Sequence, residues 1–422
     1  MTECLCDRVQ EQQQHQGVQT KALVPVAAAK ATLNAMAQCR VATEQVTLEN
    51  ARGRILAETL RAIITVPPHD NSAMDGYGLC LAELASDQQI TVSQRVPAGQ
   101  APTPLQPGTA VRIFTGAPIP EGVDTVVPQE QVNVLDPARI EIQASPVKGQ
   151  NIRRAGEDMQ AGRALLAAGT RLEAAEIGLL ASQGIADIPV FKPLRVAIVT
   201  TGDELVMPGQ RLEPGQIYNS NSYTLRAALQ CLGCDVTDVH TIADNASATR
   251  DALKNAARDH DLVITTGGVS VGDEDHIRPA VEQLGQLEFW GVAMKPGKPF
   301  AFGQIGETPF LGLPGNPMAT LVTFEILAID FIRVLMGTRP LPGRTLSLPA
   351  GFSRSKTTHR EEYVRVRLDD TTGRLRAVLA GSQSSGVLSV ASASDGYLII
   401  PPQTPVTEGT HYDFVDRDHF YR

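Results

Sequence analysis

Leu194-Arg-Val-Ala-Ile-Val-Thr200 is an almost continuous apolar run, and it narrows the fold more than any other feature of the chain. A strand with one face in water alternates apolar and polar residues. A run without alternation belongs to a strand covered on both faces, as in a parallel sheet flanked by helices. The residues that follow repeat the unit: a helix is expected over 220–232, a strand over 235–240, a helix opened by Ser247 as N-cap, and a strand over 262–265. Further strands are expected near 288–293 and 300–302, ahead of a long helix over 317–336. Such alternation predicts a three-layer α/β domain with a mostly parallel sheet, whose ligands bind at the carboxyl ends of its strands.

At 422 residues the chain exceeds one ordinary core, since domains run to about 100–200 residues. A multidomain α+β and α/β protein is expected. Residues 1–22 form a glutamine-rich leader without apolar period and read as disordered. Residues 23–60 with 154–193 read as an elongated helical linking domain, from the spacing of Val26, Ala29, Leu33 and Met36, of Ile55, Leu56 and Leu60, and of the apolar residues in 172–186. Between them, 61–153 is cut by prolines and glycines into short β-rich runs such as 110–114 and 124–127, the pattern of an inserted β-rich domain. The α/β domain occupies 194–342, and 343–422 reads as a C-terminal β-barrel-like domain in which Val364, Val366 and Leu368 share one face.

A net charge of −9 excludes the broad basic face that nucleic-acid binding needs. No run of the ~18 apolar residues needed to span a membrane occurs, and the N-terminus lacks a secretory signal pattern. The six cysteines form no disulfide-like framework, so a cytoplasmic location is expected. Cys231-Leu-Gly-Cys234 reads as two small buried residues at a helix-to-strand joint rather than a redox pair.

The chemistry concentrates in three glycine turns, Thr265-Thr-Gly-Gly268, Lys295-Pro-Gly-Lys-Pro299 and Leu313-Pro-Gly-Asn-Pro317. Glycine lets main-chain N–H groups approach an anion closely, and a helix start attracts negative charge. Two lysines held three residues apart by a Pro-Gly turn add a cation clamp. Ser270-Val-Gly-Asp-Glu-Asp275, Asp203 with Glu204, and Asp244 place carboxylates after successive strands. Each fits either a helix cap or a Mg²⁺ ligand, and their recurrence at strand ends favours a shared site. No Walker-type loop, dinucleotide fingerprint or Ser-His-Asp arrangement is present.

Seven motifs in order, Asp70-Asn-Ser-Ala-Met-Asp-Gly-Tyr77, Thr115-Gly-Ala-Pro118, Asn151-Ile-Arg-Arg-Ala-Gly-Glu-Asp158, Thr201-Gly-Asp-Glu-Leu205, Gly267-Gly-Val-Ser-Val-Gly272, Lys295-Pro-Gly-Lys-Pro299 and Leu313-Pro-Gly-Asn-Pro317, resemble the molybdopterin molybdenumtransferases, the MoeA and gephyrin E-domain family. The resemblance runs from about residue 27 to the C-terminus. It implies a molybdopterin-binding type of α/β domain and molybdenum insertion into adenylylated molybdopterin from molybdate, with Mg²⁺ assistance and AMP release. It also implies a homodimer whose cleft joins the α/β domain of one subunit to the inserted domain of the other, and transient contact with a molybdopterin adenylyltransferase. Asp75, Glu204, Asp275, Lys295 and Lys298 match the family's catalytic positions, and Glu204, Asp244 and Asp275 its metal carboxylates. Thr115, Gly267, Gly268, Ser270, Pro299, Pro314, Gly315 and Pro317 fall on binding positions, and by looser analogy so do Arg360, Arg365 and Ser384. The chain departs from the family at Met318-Ala319, where Val-Ser is common. Two rival readings are an adenylyltransferase-like enzyme, which would lack 70–77 and the last β domain, and a gephyrin-like scaffold, which would not need the lysines and carboxylates.

Overall fold

The computed structural model describes residues 22–242, 245–269, 276–339, 345–371 and 373–421. Its contacts divide into two compact units. The larger comprises Met1–Glu44, Gly53–Ala57 and Val190–Arg422, the smaller Gln45–Arg52 and Glu58–Pro189.

The apolar run forms the strand Arg195–Thr201, second in a six-stranded sheet ordered Asp235–Ile242, Arg195–Thr201, Leu262–Thr266, Thr308–Leu313, Ala301–Ile305, Gly285–Trp290. The first four strands are mutually parallel, and Ala301–Ile305 runs antiparallel to both its neighbours. Alternate residues of the run enter different cores, as burial on two faces requires. Val196 and Ile198 pack with Leu225 and Leu229 of the helix Ser220–Leu232, while Ala197 and Val199 pack with Leu253 of Ala246–Asp259 and Val281 of Ile277–Leu284. Three layers result. The strand Thr308–Leu313 is absent from the sequence-based reading. It pairs back on Ala301–Ile305 through a turn at Gly306, with φ 57°, and the hairpin is too short to break the apolar pattern.

The long helix expected over 317–336 forms as Pro317–Thr323, a π-helical turn Phe324–Ala328, and Ile329–Leu335. The π turn carries Glu325, whose side chain is fully buried. It accepts hydrogen bonds from the hydroxyls of Tyr397 and Tyr421, the latter at 2.8 Å, and pairs with Arg417 at 3.1 Å. A buried carboxylate without such partners would be strongly disfavoured.

In the last β domain, Arg376–Leu379, Glu361–Asp369, Gly396–Ile400, His411–Asp416 and Leu346–Pro349 pair in that order, and a bridge from Ala350 to Ala377 brings the edges together into a barrel-like closure. The strand Glu361–Asp369 does not have one solvated face as its alternation suggests. Val364 and Val366 fill the barrel core, while Tyr363 packs into the α/β core and Arg365 is also buried, because the outer face is covered by that second core.

The region read as helical holds only two α-helices, Val26–Met36 in the larger unit and Ala174–Ser182 in the smaller. Ile55 and Leu56 are extended: the Ile55 carbonyl accepts the Phe191 N–H and Leu56 bridges Val190. Leu60 likewise pairs with Leu166 in a short ladder. Gly53, at φ 76°, breaks the chain just before them, and so sparse an apolar spacing is satisfied equally well by extended chain. The smaller unit centres on a six-stranded sheet ordered Thr125–Pro128, Gly76–Leu79, Thr109–Ile113, Gln89–Val96, Arg139–Ile142, Val132–Asp136. A Cβ on Gly76 would lie 2.1 Å from the Val127 carbonyl oxygen, so only glycine admits this strand pairing.

Two outcomes follow. Gly76→Ala forces the Gly76 and Val127 backbones apart, and a loss of about 2–3 kcal/mol is expected in urea denaturation. Burial, the leading cause, raises the hydroxyl pKa of Tyr363, Tyr397 and Tyr421 above the ordinary tyrosine value. Groups held neutral in the fold stabilise fully below their unfolded pKa and lose that stability as pH rises beyond it. The contribution of these tyrosines should therefore be level up to about pH 10 and then fall by up to ~1.4 kcal/mol per pH unit for each, with a shallower alkaline fall in Tyr421→Phe.

Candidate active site

The carboxyl ends of the parallel strands open on a cavity of about 950 Å³ in the larger unit. Its floor is made by the three glycine turns. Gly267 and Gly268 follow the strand Leu262–Thr266 with φ 87° and 61°, and a Cβ on Gly267 would meet the Thr201 carbonyl oxygen at 2.9 Å. Gly297 has φ 111°, and a Cβ there would lie 2.2 Å from Thr323 Cγ2. Asn221 ties two of the turns together: its Nδ2 donates to Thr266 Oγ1 and to the Gly315 carbonyl, both at 2.8 Å. Thr266 and Thr320 hydroxyls both donate to the Pro314 carbonyl, at 3.0 and 2.6 Å.

The cationic wall comes from Lys295, Lys298 and Arg360, all lining the cavity. Met294–Lys295 forms a short strand parallel to the start of Glu361–Asp369, with Lys295 opposite Glu362. That register puts Lys295 Nζ 3.1 Å from Glu362 Oε1, and Arg360 donates to the Met294 carbonyl at 3.2 Å. Glu362 is buried and is gripped from behind by Arg354, with Nη1–Oε1 3.0 Å and Nη2–Oε2 2.6 Å. Lys298 is exposed and has no ion-pair partner among the described residues. The acidic contribution is Glu204, whose carboxylate folds back over Gly202, 2.6 Å from where a Cβ would stand.

The helix start at Pro317 is not an open anion site. The N–H groups of Met318 and Ala319 donate to the Ser385 carbonyl at 3.0 and 3.3 Å, so these two main-chain donors, at the positions where Val-Ser is common in the family, are already occupied. Ser384 lines the cavity on the same loop. Arg365 does not line it: its guanidinium is buried, donating to the Tyr363 carbonyl at 3.2 Å and the Ser384 carbonyl at 3.4 Å, and burial lowers its pKa. It supports the loop from beneath because the covered outer face of its strand leaves it no route to the cavity.

In the smaller unit, Asp75 precedes the strand Gly76–Leu79, and Thr115 follows Thr109–Ile113. The Thr115 N–H and hydroxyl both donate to Asp75 Oδ1 at 2.8 Å, and together they hold the carboxyl below its ordinary pKa.

Glu204, Gly267, Gly268, Lys295, Lys298, Pro299, Pro314, Gly315, Pro317, Arg360 and Ser384 thus share one cavity, while Asp75 and Thr115 share a second locus in the other unit. Asp244, Ser270 and Asp275 lie outside the described residues. Among the described residues no group of His, Cys, Asp and Glu is gathered as a metal cage. Mg²⁺ commonly uses only one or two protein carboxylates beside substrate oxygens, and Glu204 at the cavity fits that donor set. The Cys231-to-Cys234 segment does sit at a helix-to-strand joint, with Gly233 at φ 94°, but only Cys234 is buried and Cys231 is exposed. Sequence reasoning missed Glu362, Arg354 and Asn221. The available signal for Glu362 was the carboxylate pair Glu361-Glu362 opening an apolar strand just after Arg360.

A family model of the MoeA N-terminal region (domain I and II) matches residues 24–184, a probable molybdopterin binding domain matches 197–334, and the MoeA C-terminal region (domain IV) matches 347–416. The chain is 39% identical to the molybdopterin molybdenumtransferase of Haemophilus influenzae over 367 residues, covering 85% of this chain and 89% of that protein. It is 36% identical to molybdopterin molybdenumtransferase 2 of Mycobacterium tuberculosis, covering 90% and 96%. The solved structure of a molybdopterin biosynthesis MoeA protein from Pyrococcus horikoshii superposes with a TM-score of 0.81 at 26% identity, covering 93% of this chain and 99% of that one. By these matches the chain belongs to the molybdopterin molybdenumtransferase family of enzymes.

Proposed function

We propose that this chain inserts molybdenum from molybdate into the dithiolene of adenylylated molybdopterin, with hydrolysis of the phosphoanhydride and release of AMP. The observation that carries the reading is the Lys298 ammonium, unpaired among the described residues, which lines the same cavity as three glycine turns and the paired Lys295. A doubly anionic oxyanion and a phosphoanhydride both require close main-chain approach and positive charge in a partly desolvated cleft. The cavity supplies both, and its volume is in the range of small-molecule sites.

Lys298 and Arg360 would draw molybdate into the cavity, and the turns at Gly267, Gly297 and Gly315 would let substrate oxygens lie against the backbone. Pro299, Pro314 and Pro317 would hold those turns in shape by fixing φ. Fixing the oxyanion against the dithiolene would turn an encounter between two anions into a positioned reaction. Glu204, with Asp244 and Asp275, would hold Mg²⁺, which when bound would offset phosphoanhydride charge.

Asp75, ionised and oriented by Thr115, would act on substrate in a homodimer that brings the smaller unit of one copy to the cavity of another. The substrate would arrive from a molybdopterin adenylyltransferase in the cytoplasm through a transient contact. No helix among the described residues is long and apolar enough to cross a membrane.

The test supplies adenylylated molybdopterin, molybdate and Mg²⁺, and follows AMP release together with reconstitution of a molybdenum-free apoenzyme. Wild type should do both. Lys298→Ala should lose at least about a hundredfold in turnover, the scale of losing one charge contact to the reacting anion, with an unchanged thermal melt. Full activity in Lys298→Ala would remove the assignment, and absence of AMP release by wild type would remove the function.

A further inference from the structure

The two lysines of the Lys295-Pro-Gly-Lys298 turn are held very differently. Lys298 projects from the α/β side of the turn, where its carbonyl accepts the N–H groups of Val292 and Phe300 at 2.9 and 3.0 Å, and its own ammonium is unpaired among the described residues. Lys295 belongs instead to a strand pairing with the C-terminal barrel, and its ammonium is committed to Glu362. Glu362 is in turn committed to Arg354 through both oxygens. Arg354 is itself fixed by main-chain hydrogen bonds in both directions with Val406, at 2.8 and 2.9 Å. The result is an ordered line of charges, cation, anion, cation, running from the barrel wall to the cavity.

We propose that Glu362 is a positioning residue that sets the anion-binding strength of the cavity. It holds the Lys295 ammonium at one point of the cavity wall, and it cancels enough of that charge to leave Lys298 and Arg360 as the net attraction for an oxyanion. Three uncompensated cations around one small cavity would bind a doubly charged oxyanion tightly in any orientation. Two cations and a pinned, half-neutralised third bind it less tightly and in a defined place. Burial makes the arrangement effective: Glu362 is only 3% exposed, so its charge acts on Lys295 with little screening by solvent. Arg354 meets this carboxylate end-on through Nη1 and Nη2, and its buried Nε has no hydrogen-bond partner among the described residues. The inference rests on the molybdenumtransferase reading only for the identity of the anion.

The test uses the full chain and inorganic oxyanions alone, read by isothermal titration, beside turnover in the reconstitution assay. In Glu362→Gln the side chain keeps its shape and loses its charge, so molybdate should bind at least ~5-fold more tightly while turnover falls at least tenfold. A role limited to holding the fold predicts the reverse, weaker binding with a lowered melting temperature. Glu362→Asp serves if Glu362→Gln does not fold, because it keeps the charge beside Arg354 and withdraws the carboxylate from Lys295. It should lose turnover with molybdate binding unchanged or tighter. Unchanged or weakened molybdate binding in a natively folded Glu362→Gln, or full turnover in Glu362→Asp, overturns the proposal. Inorganic phosphate separates this from the function itself: if wild type lacks turnover and ignores molybdate but binds phosphate, tighter phosphate binding in Glu362→Gln sustains the role of Glu362, and unchanged or weaker binding removes it.

Discussion

A sheet buried on both faces leaves its strands only one place for polar chemistry, their ends, and the cavity is a consequence of that constraint. Along Arg195–Thr201 and Leu262–Thr266 the apolar residues give way to threonines at the carboxyl edge. There the polar groups must find partners, since an unpaired buried donor or acceptor costs about 1–3 kcal/mol. Several find them in one another and in the glycine turns: Asn219 with Thr200 at 3.0 Å, Asn221 Nδ2 with Thr266 and Gly315, and Thr266 and Thr320 with Pro314, while Thr265 Oγ1 and Asn221 Oδ1 are left without a partner among the described residues. The floor of the cavity is therefore rigid for a reason of folding, before any ligand is considered.

The same constraint explains what the sequence made legible. The unbroken run at 194–200, the glycine turns and the Lys-Pro-Gly-Lys segment are local features, each produced by neighbours in the chain, and each reads directly as a two-faced strand or a turn. The family resemblance adds the order of the motifs. The weak spots were patterns with two physical solutions. Ile55, Leu56 and Leu60 satisfy a loose helical spacing, but their partners, Val190, Phe191 and Leu166, come from more than a hundred residues away and hold them extended. The alternation at 363–368 marks the face of Val364, Val366 and Leu368, and only the long-range packing of Tyr363 against the α/β core reveals that the opposite face is covered as well.

Glu362 shows the limit in its sharpest form. Its neighbours in sequence mark a carboxylate at a strand start but not what it does, because that is set by register: Lys295 lies opposite it across a two-residue strand pairing, 67 positions earlier in sequence, and Arg354 reaches it from a separate segment of the barrel. Arg365 misleads in the opposite sense. In sequence it is a cation beside a candidate anion site, yet the structure spends its guanidinium on the carbonyls of Tyr363 and Ser384.

The departure at Met318-Ala319 completes the electrostatic argument. Both residues are buried, and both N–H groups are taken by Ser385, so neither the helix start nor a serine hydroxyl offers donors to an anion there. The chain as a whole carries −9 and provides no general attraction for anions. Attraction has to be local and carried by side chains, which leaves Lys295, Lys298 and Arg360, two cations in one turn and a third just before the strand that pairs with it. Because that strand belongs to the C-terminal barrel and the turn to the α/β sheet, charge placement in the cavity depends on the joint between the two, and the barrel acts as part of the site rather than as an appendage.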